Sequence, residues 1–249
     1  MRRTGLCVLV VVLAAVAAGC GASTSPVAAH HHPAPKKATL AAVSPPPAGS
    51  TWTATLHGDT PGSPSPGAPS NEVVPGSWYG YPSILPIIAS DANWVEVRLA
   101  QRPNESVSWV PRSDITLGVT PYRIVVDLAT EHLTVFNNGV EVDDFPAGIG
   151  TPDDPTVTGQ YFMTMQVPPP NAGYGPFVLV TSAHSDSITD WAASGDAIIA
   201  IHGPITSYDD SLIGTTGAAI SHGCIRLHDA DLALLSTIPA GTPIDIEAS

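Results

Sequence analysis

Proline and glycine recur 26 and 22 times in this 249-residue chain, which leaves few windows in which a long helix can form. Proline removes a backbone donor and blocks helix interiors, while glycine weakens regular elements and favours turns. Between these breaks lie short runs rich in β-branched and aromatic residues, at 84–88, 94–99, 108–110, 122–127, 132–136, 140–145 and 197–201. Runs of this length, bounded by turn residues, predict strands. Asn137-Asn138-Gly139 marks the start of a hairpin. Residues 242–246 read as a closing strand, and the proline-rich 167–176 as a surface loop or lid. Residues 229–236 alone read as a helix, with Asp229 as its cap and Leu232, Leu234 and Leu235 on its apolar side. The expected class is mainly β with few short helices, and the chain shows no internal repeat or glycine-rich phosphate loop.

The N-terminus reads differently. Arg2 and Arg3 precede an apolar run over 6–18 that ends in Ala17, Ala18 and Gly19 before Cys20. That is the layout of an export signal over residues 1–19, too short for a stable membrane span. Ala17-Ala18-Gly19-Cys20 resembles a bacterial lipobox. The resemblance implies lipidation at Cys20 and an anchor on the extracytoplasmic face of the cell membrane, facing the wall. The alternative is an ordinary cleaved signal with Cys20 incidental. Residues 20–71, rich in Pro, Ala and Ser, read as a disordered tether. His30 to His32 lie within it, where three adjacent histidines do not make a specific metal site. Nine Lys and Arg against 22 Asp and Glu exclude a nucleic-acid partner.

Two β-rich segments follow. In residues 72–118, LPIIASDANWVEVRL and then SWVPRSDI resemble the bacterial SH3-like modules associated with cell walls, which implies a small β-barrel. Trp78, Trp94 and Trp109 either line a ligand groove there or pack its core. Residues 121–247 form a second, larger β-rich domain. The expected fold is thus an SH3-like barrel followed by a β-rich domain carrying the chemistry.

The chemistry is concentrated in residues 198–227. Cys7 leaves with the leader and Cys20 is capped by lipid, so Cys224 is left without a disulfide partner. An unpaired thiol is either a small buried hydrophobe or a reactive group. His202 closes an apolar run at a Gly-Pro turn, and His222 lies two residues before Cys224, on the same face of an extended segment. A thiol with an ordinary pKa near ~8.5 needs a basic partner to react at neutral pH, and two histidines supply candidates. Gly223 permits the tight backbone that lets main-chain amides face a reacting carbonyl. A zinc site built from His202, His222 and Cys224 is the metal alternative, disfavoured in an exported setting; neither a metal nor a cofactor is expected.

IHG at residues 201–203 followed by SHGCIRL at 221–227 is similar to the signature of the L,D-transpeptidases, bacterial cysteine enzymes that remodel peptidoglycan. The resemblance extends to RIVVDL from Arg123, PTVTGQYF from Pro155 and GTPIDI from Gly241. It implies that Cys224 is the nucleophile on the peptide carbonyl of a donor stem, expelling D-alanine and leaving a thioester. It further implies His202 as the base, oriented by the Gly203 carbonyl, His222 as support for thiolate or substrate, and the Gly223 and Cys224 amides as the oxyanion site. An amine of an acceptor stem then completes a 3-3 cross-link in wall biogenesis, whereas water makes the enzyme an L,D-carboxypeptidase. A non-catalytic wall-binding lipoprotein is the alternative from another class. The family also implies acylation by β-lactams, carbapenems above all. Among the surrounding residues, Arg226 either clamps a substrate carboxylate or pins the Cys loop, and Ser221 is a loop hydrogen-bonder. His184 and Tyr174 are candidates to contact the stem peptide from a lid, and Asp209 and Asp210 are expected to face solvent.

Overall fold

The first half of the chain builds β1 (Thr51–Leu56), β2 (Thr60–Gly62), β3 (Glu72–Val74), β4 (Ser77–Trp78), β5 (Tyr81–Pro82), β6 (Ile84–Ser90), β7 (Trp94–Arg98), β8 (Val107–Pro111) and β9 (Ile115–Thr120), with buried residues alternating along β7 and β8. These coordinates are a computed structural model that describes residues 43–191 and 195–248. The leader, Cys20 and the three histidines lie outside the described residues. An antiparallel sheet runs β8-β7-β6-β1-β9. Val95, Val97 and Val110 are fully buried on one face, with Ala54, Leu56, Leu85 and Ile115 beside them. Trp94 and Trp109 are half-buried on the opposite face, so neither packs that core.

The expected tether does not reach residue 71. β1 is an interior strand, paired with β9 at all six of its positions, and Trp52 donates its indole N–H to the Ser44 carbonyl at 2.8 Å. Pro- and Ser-rich surroundings hid a strand whose Thr and Trp residues favour the extended chain and whose Ala54 and Leu56 are buried.

The second half carries β10 (Tyr122–Asp127), β11 (His132–Asn137), β12 (Val140–Pro146), β13 (Ile149–Gly150), β14 (Gly159–Val167), β15 (Val178–His184), β16 (Ile198–His202), α1 (Ser207–Leu212), β17 (Ala219–Ser221), β18 (Ile225–Arg226), α2 (Asp229–Leu234) and β19 (Pro243–Glu247). The expected hairpin is present: Asn138 and Gly139, both at positive φ, join β11 to β12. An eight-stranded sheet runs β12-β11-β10-β19-β14-β15-β16-β18. The closing strand β19 inserts between β10 and β14, parallel to the first and antiparallel to the second. α2 starts after His228 with no side-chain cap, so Asp229 is its first residue and not its cap. α1 is an element the sequence reading did not expect; Thr206, three residues before Asp209, accepts from the Asp209 amide at 3.1 Å and starts it.

The two sheets fall in one compact unit. Phe162 is carried by β14, yet at 1% exposure it packs into the core of the first sheet. The turn after β7 reaches the other way. Asn104 exchanges two hydrogen bonds with the His184 backbone, and Arg102 donates to the Ser185 carbonyl at 2.7 Å and to Asp196 at 3.0 Å.

Candidate functional site

Strand register sets the site. β16 and β18 run parallel with Ile201 opposite Ile225 and His202 opposite Arg226. Parallel pairing of the two signature segments places Cys224 at the entry to β18, where it and His202 line one cavity of about 290 Å³. Cys224 is half-buried with its thiol free. Burial pushes that thiol above its ordinary range, while a backbone hydrogen bond with Ala200 and the Arg226 charge act in the opposite direction.

His202 is 2% exposed. Its Nδ1 lies 2.7 Å from the Gly203 carbonyl, which can only accept, so Nδ1 carries the proton and Nε2 keeps its lone pair. Burial pushes its pKa down to about 4, and the Arg226 charge adds to the shift. The resting pair is therefore a neutral imidazole and a neutral thiol. The Tyr174 ring covers the imidazole with centroids 4.6 Å apart. Gly203 is needed because a Cβ there would lie 2.5 Å from the Asp229 Oδ1 and 2.9 Å from Gly175 Cα.

The turn into Cys224 is held from within. Ser221 Oγ donates to the Cys224 carbonyl at 2.5 Å and accepts from the Gly223 amide at 3.0 Å. The Gly223 carbonyl accepts from Thr156 at 2.8 Å. Gly223 thus contributes through its φ of +109°. Its amide is engaged by Ser221 and does not face the cavity as an oxyanion donor, contrary to the expectation. Among the described residues the Cys224 amide has no acceptor, which leaves that donor available.

Arg226 is 9% exposed and donates through Nη1 to Asp209 Oδ2 at 3.0 Å and to the Pro204 carbonyl at 3.3 Å. Asp209, expected in solvent, is the partner that holds it, and Asp210 pairs with His228 at 2.7 Å. α1 is therefore pinned to the strand that follows Cys224. His222 lines the cavity and is 63% exposed, with its ring tilted at 51° to that of Trp191, centroids 5.4 Å apart, and with Nε2 4.0 Å from Asp154. His184 departs from its expected place. At 1% exposure, with Nδ1 2.7 Å from Asp196, it is a buried tie between β15 and the Arg102 turn and does not line the cavity.

Among the lining residues that the sequence reading missed are two aromatics, Trp191 and Tyr79. Trp191 is a lone aromatic in a polar stretch, and Tyr79 sits beside the Trp78 that had drawn attention. No group of three or more His, Cys, Asp or Glu side chains among the described residues is arranged to hold a metal ion.

A half-buried thiol and a buried, singly protonated imidazole line one cavity of a mostly β scaffold, the pair of groups that nucleophilic thiol chemistry requires. Residues 121–246, half of the chain, match the YkuD family, the L,D-transpeptidase catalytic domain, and the chain belongs to that family. It is 29% identical over 127 residues to the putative L,D-transpeptidase YkuD of Bacillus licheniformis and 28% identical over 127 residues to that of Bacillus subtilis. Each match covers 51% of this chain and 66% of the relative, just under two thirds of its length. Among solved structures it is similar to an L,D-transpeptidase from Mycobacterium smegmatis, with a TM-score of 0.40 and 17% identity over 62% of this chain and 91% of that one. It is also similar to L,D-transpeptidase 3 from Mycobacterium tuberculosis in complex with a faropenem-derived adduct, with a TM-score of 0.39, 15% identity and the same coverage of 62% and 91%.

Proposed function

We propose that this chain is a peptidoglycan L,D-transpeptidase that forms 3-3 cross-links through a thioester on Cys224. The substrates are stem peptides carried on strands of N-acetylated amino sugars. His202 Nε2 takes the thiol proton as sulfur attacks the donor carbonyl, so charge appears only as the bond forms. That order follows from the shifts above, since a depressed imidazole pKa and a raised thiol pKa both disfavour a resting ion pair. The developing oxyanion meets the Cys224 amide. The C–N bond breaks, D-alanine leaves with the proton from His202, and the acceptor amine then attacks the thioester and returns the thiol.

The observation that carries this reading is the commitment of His202 Nδ1 to the Gly203 carbonyl inside the cavity that Cys224 lines. Exported, lipid-anchored placement at Cys20 and an SH3-like, wall-associated role for the first sheet belong to the same proposal, as does acylation by carbapenems. Incubation with a tetrapeptide stem tests it by mass spectrometry. The reading expects a cross-linked dimer lacking one D-alanine, absent with Cys224→Ala. Tripeptide alone, with no dimer, points instead to an L,D-carboxypeptidase, and an unchanged substrate contradicts both.

A further inference from the structure

The small β4–β5 hairpin of the first half, separate from the five-stranded sheet, reaches into the cavity that holds Cys224. Tyr79 is the first of two residues joining β4 to β5, and it lines this cavity together with Trp191, Ile188 and Ile205. Its ring is 69% exposed and is braced edge-on by Trp78, with centroids 5.6 Å apart. Its backbone is unusual for such a side chain. Tyr79 has φ +49° and Gly80 φ +84°, the positive pair of a type I′ turn, whose first position favours Asn, Asp or Gly. A tyrosine there costs about 1 kcal/mol in backbone strain and leaves most of its surface exposed. Strain of this kind collects at functional positions.

We propose that Tyr79 is a substrate-contacting residue that stacks on an N-acetylated sugar of the donor, so that the β4–β5 hairpin selects stem peptides still attached to their glycan. This rests on the peptidoglycan reading above. The chemistry of the mouth favours a neutral sugar over a charged peptide end at this position. Asp196 lines the cavity and Asp154 lies 4.0 Å from His222. The cation in the wall, Arg226, is 9% exposed and engaged by Asp209 and Pro204. One donor of that guanidinium, the buried Nε, has no partner, but the charge is already paired with Asp209, so a carboxylate placed against Tyr79 would meet acids with no unpaired cation to balance them. The C–H face of a pyranose instead suits an exposed aromatic ring and carries no charge to desolvate.

The test is calorimetric binding of a disaccharide-tetrapeptide and of the free tetrapeptide to the chain carrying Cys224→Ala, which leaves both ligands intact. The disaccharide form is expected to bind about tenfold tighter, the size of one lost or gained stacking contact. Adding Tyr79→Asn, which suits the turn, should abolish that ratio without lowering the urea midpoint, and Tyr79→Phe should keep it. Equal affinity for the two ligands, or a ratio that Tyr79→Asn leaves intact, overturns the inference alone. Failure of both ligands to bind, together with no turnover by the chain with Cys224, overturns the peptidoglycan reading and this inference with it.

Discussion

His202 should make the protein acid-labile by a calculable amount. Its pKa falls from 6.5 to about 4 on folding, chiefly through burial. The folded chain resists a proton that the unfolded chain accepts, so its stabilising effect is complete above pH 6.5 and is lost as the pH drops through about 4. At about 1.4 kcal/mol per pH unit, the loss attributable to this one side chain approaches about 3 kcal/mol near pH 4. Urea unfolding followed by tryptophan fluorescence, from pH 8 to pH 4, measures it against His202→Gln, which cannot titrate. Carboxylates and the buried His184 titrate in both proteins and cancel in the difference. The parent should lose about 3 kcal/mol relative to the variant across this range. Parallel curves would mean that His202 is not a buried neutral base, and the proton-transfer order argued above would fall.

Three further outcomes follow from the packing and charge. Alkylation of Cys224 by iodoacetamide should still be accelerating at pH 9, because burial holds the thiol above its ordinary range; a rate that levels off below pH 8 would show a preformed thiolate. Asp209→Leu leaves the buried Arg226 charge without its carboxylate and should cost about 3 kcal/mol in urea unfolding, with Asp209→Leu/Arg226→Leu recovering most of it. Phe162→Ala should cost about 3 to 5 kcal/mol while the protein still unfolds in one transition, since this ring joins the second sheet to the core of the first; separate transitions would show that the sheets fold independently.

Cys224 and His202 were legible because their chemistry is written in two short local motifs, and parallel pairing of β16 with β18 brings those motifs together. The turn at Ser221 was legible as a hydrogen-bonding position, but not the direction of its bonds, which remove the Gly223 amide from the cavity. His184 misled because a histidine next to serines and an aspartate reads as exposed. Its burial depends on Arg102 and Asn104, some 80 residues away in the other half. Tyr79 and Trp191 escaped notice for the same reason, since only the tertiary fold brings residues 112 positions apart to one cavity. The interior strand β1 was lost to composition, because its neighbours are those of a linker while its own six residues are those of a strand.

The most direct measurement of the central claim is the intact mass of the protein after incubation with a carbapenem, beside Cys224→Ala. The account predicts one covalent adduct on the parent and none on the variant. An adduct that survives Cys224→Ala, or no adduct on a folded parent, would contradict it.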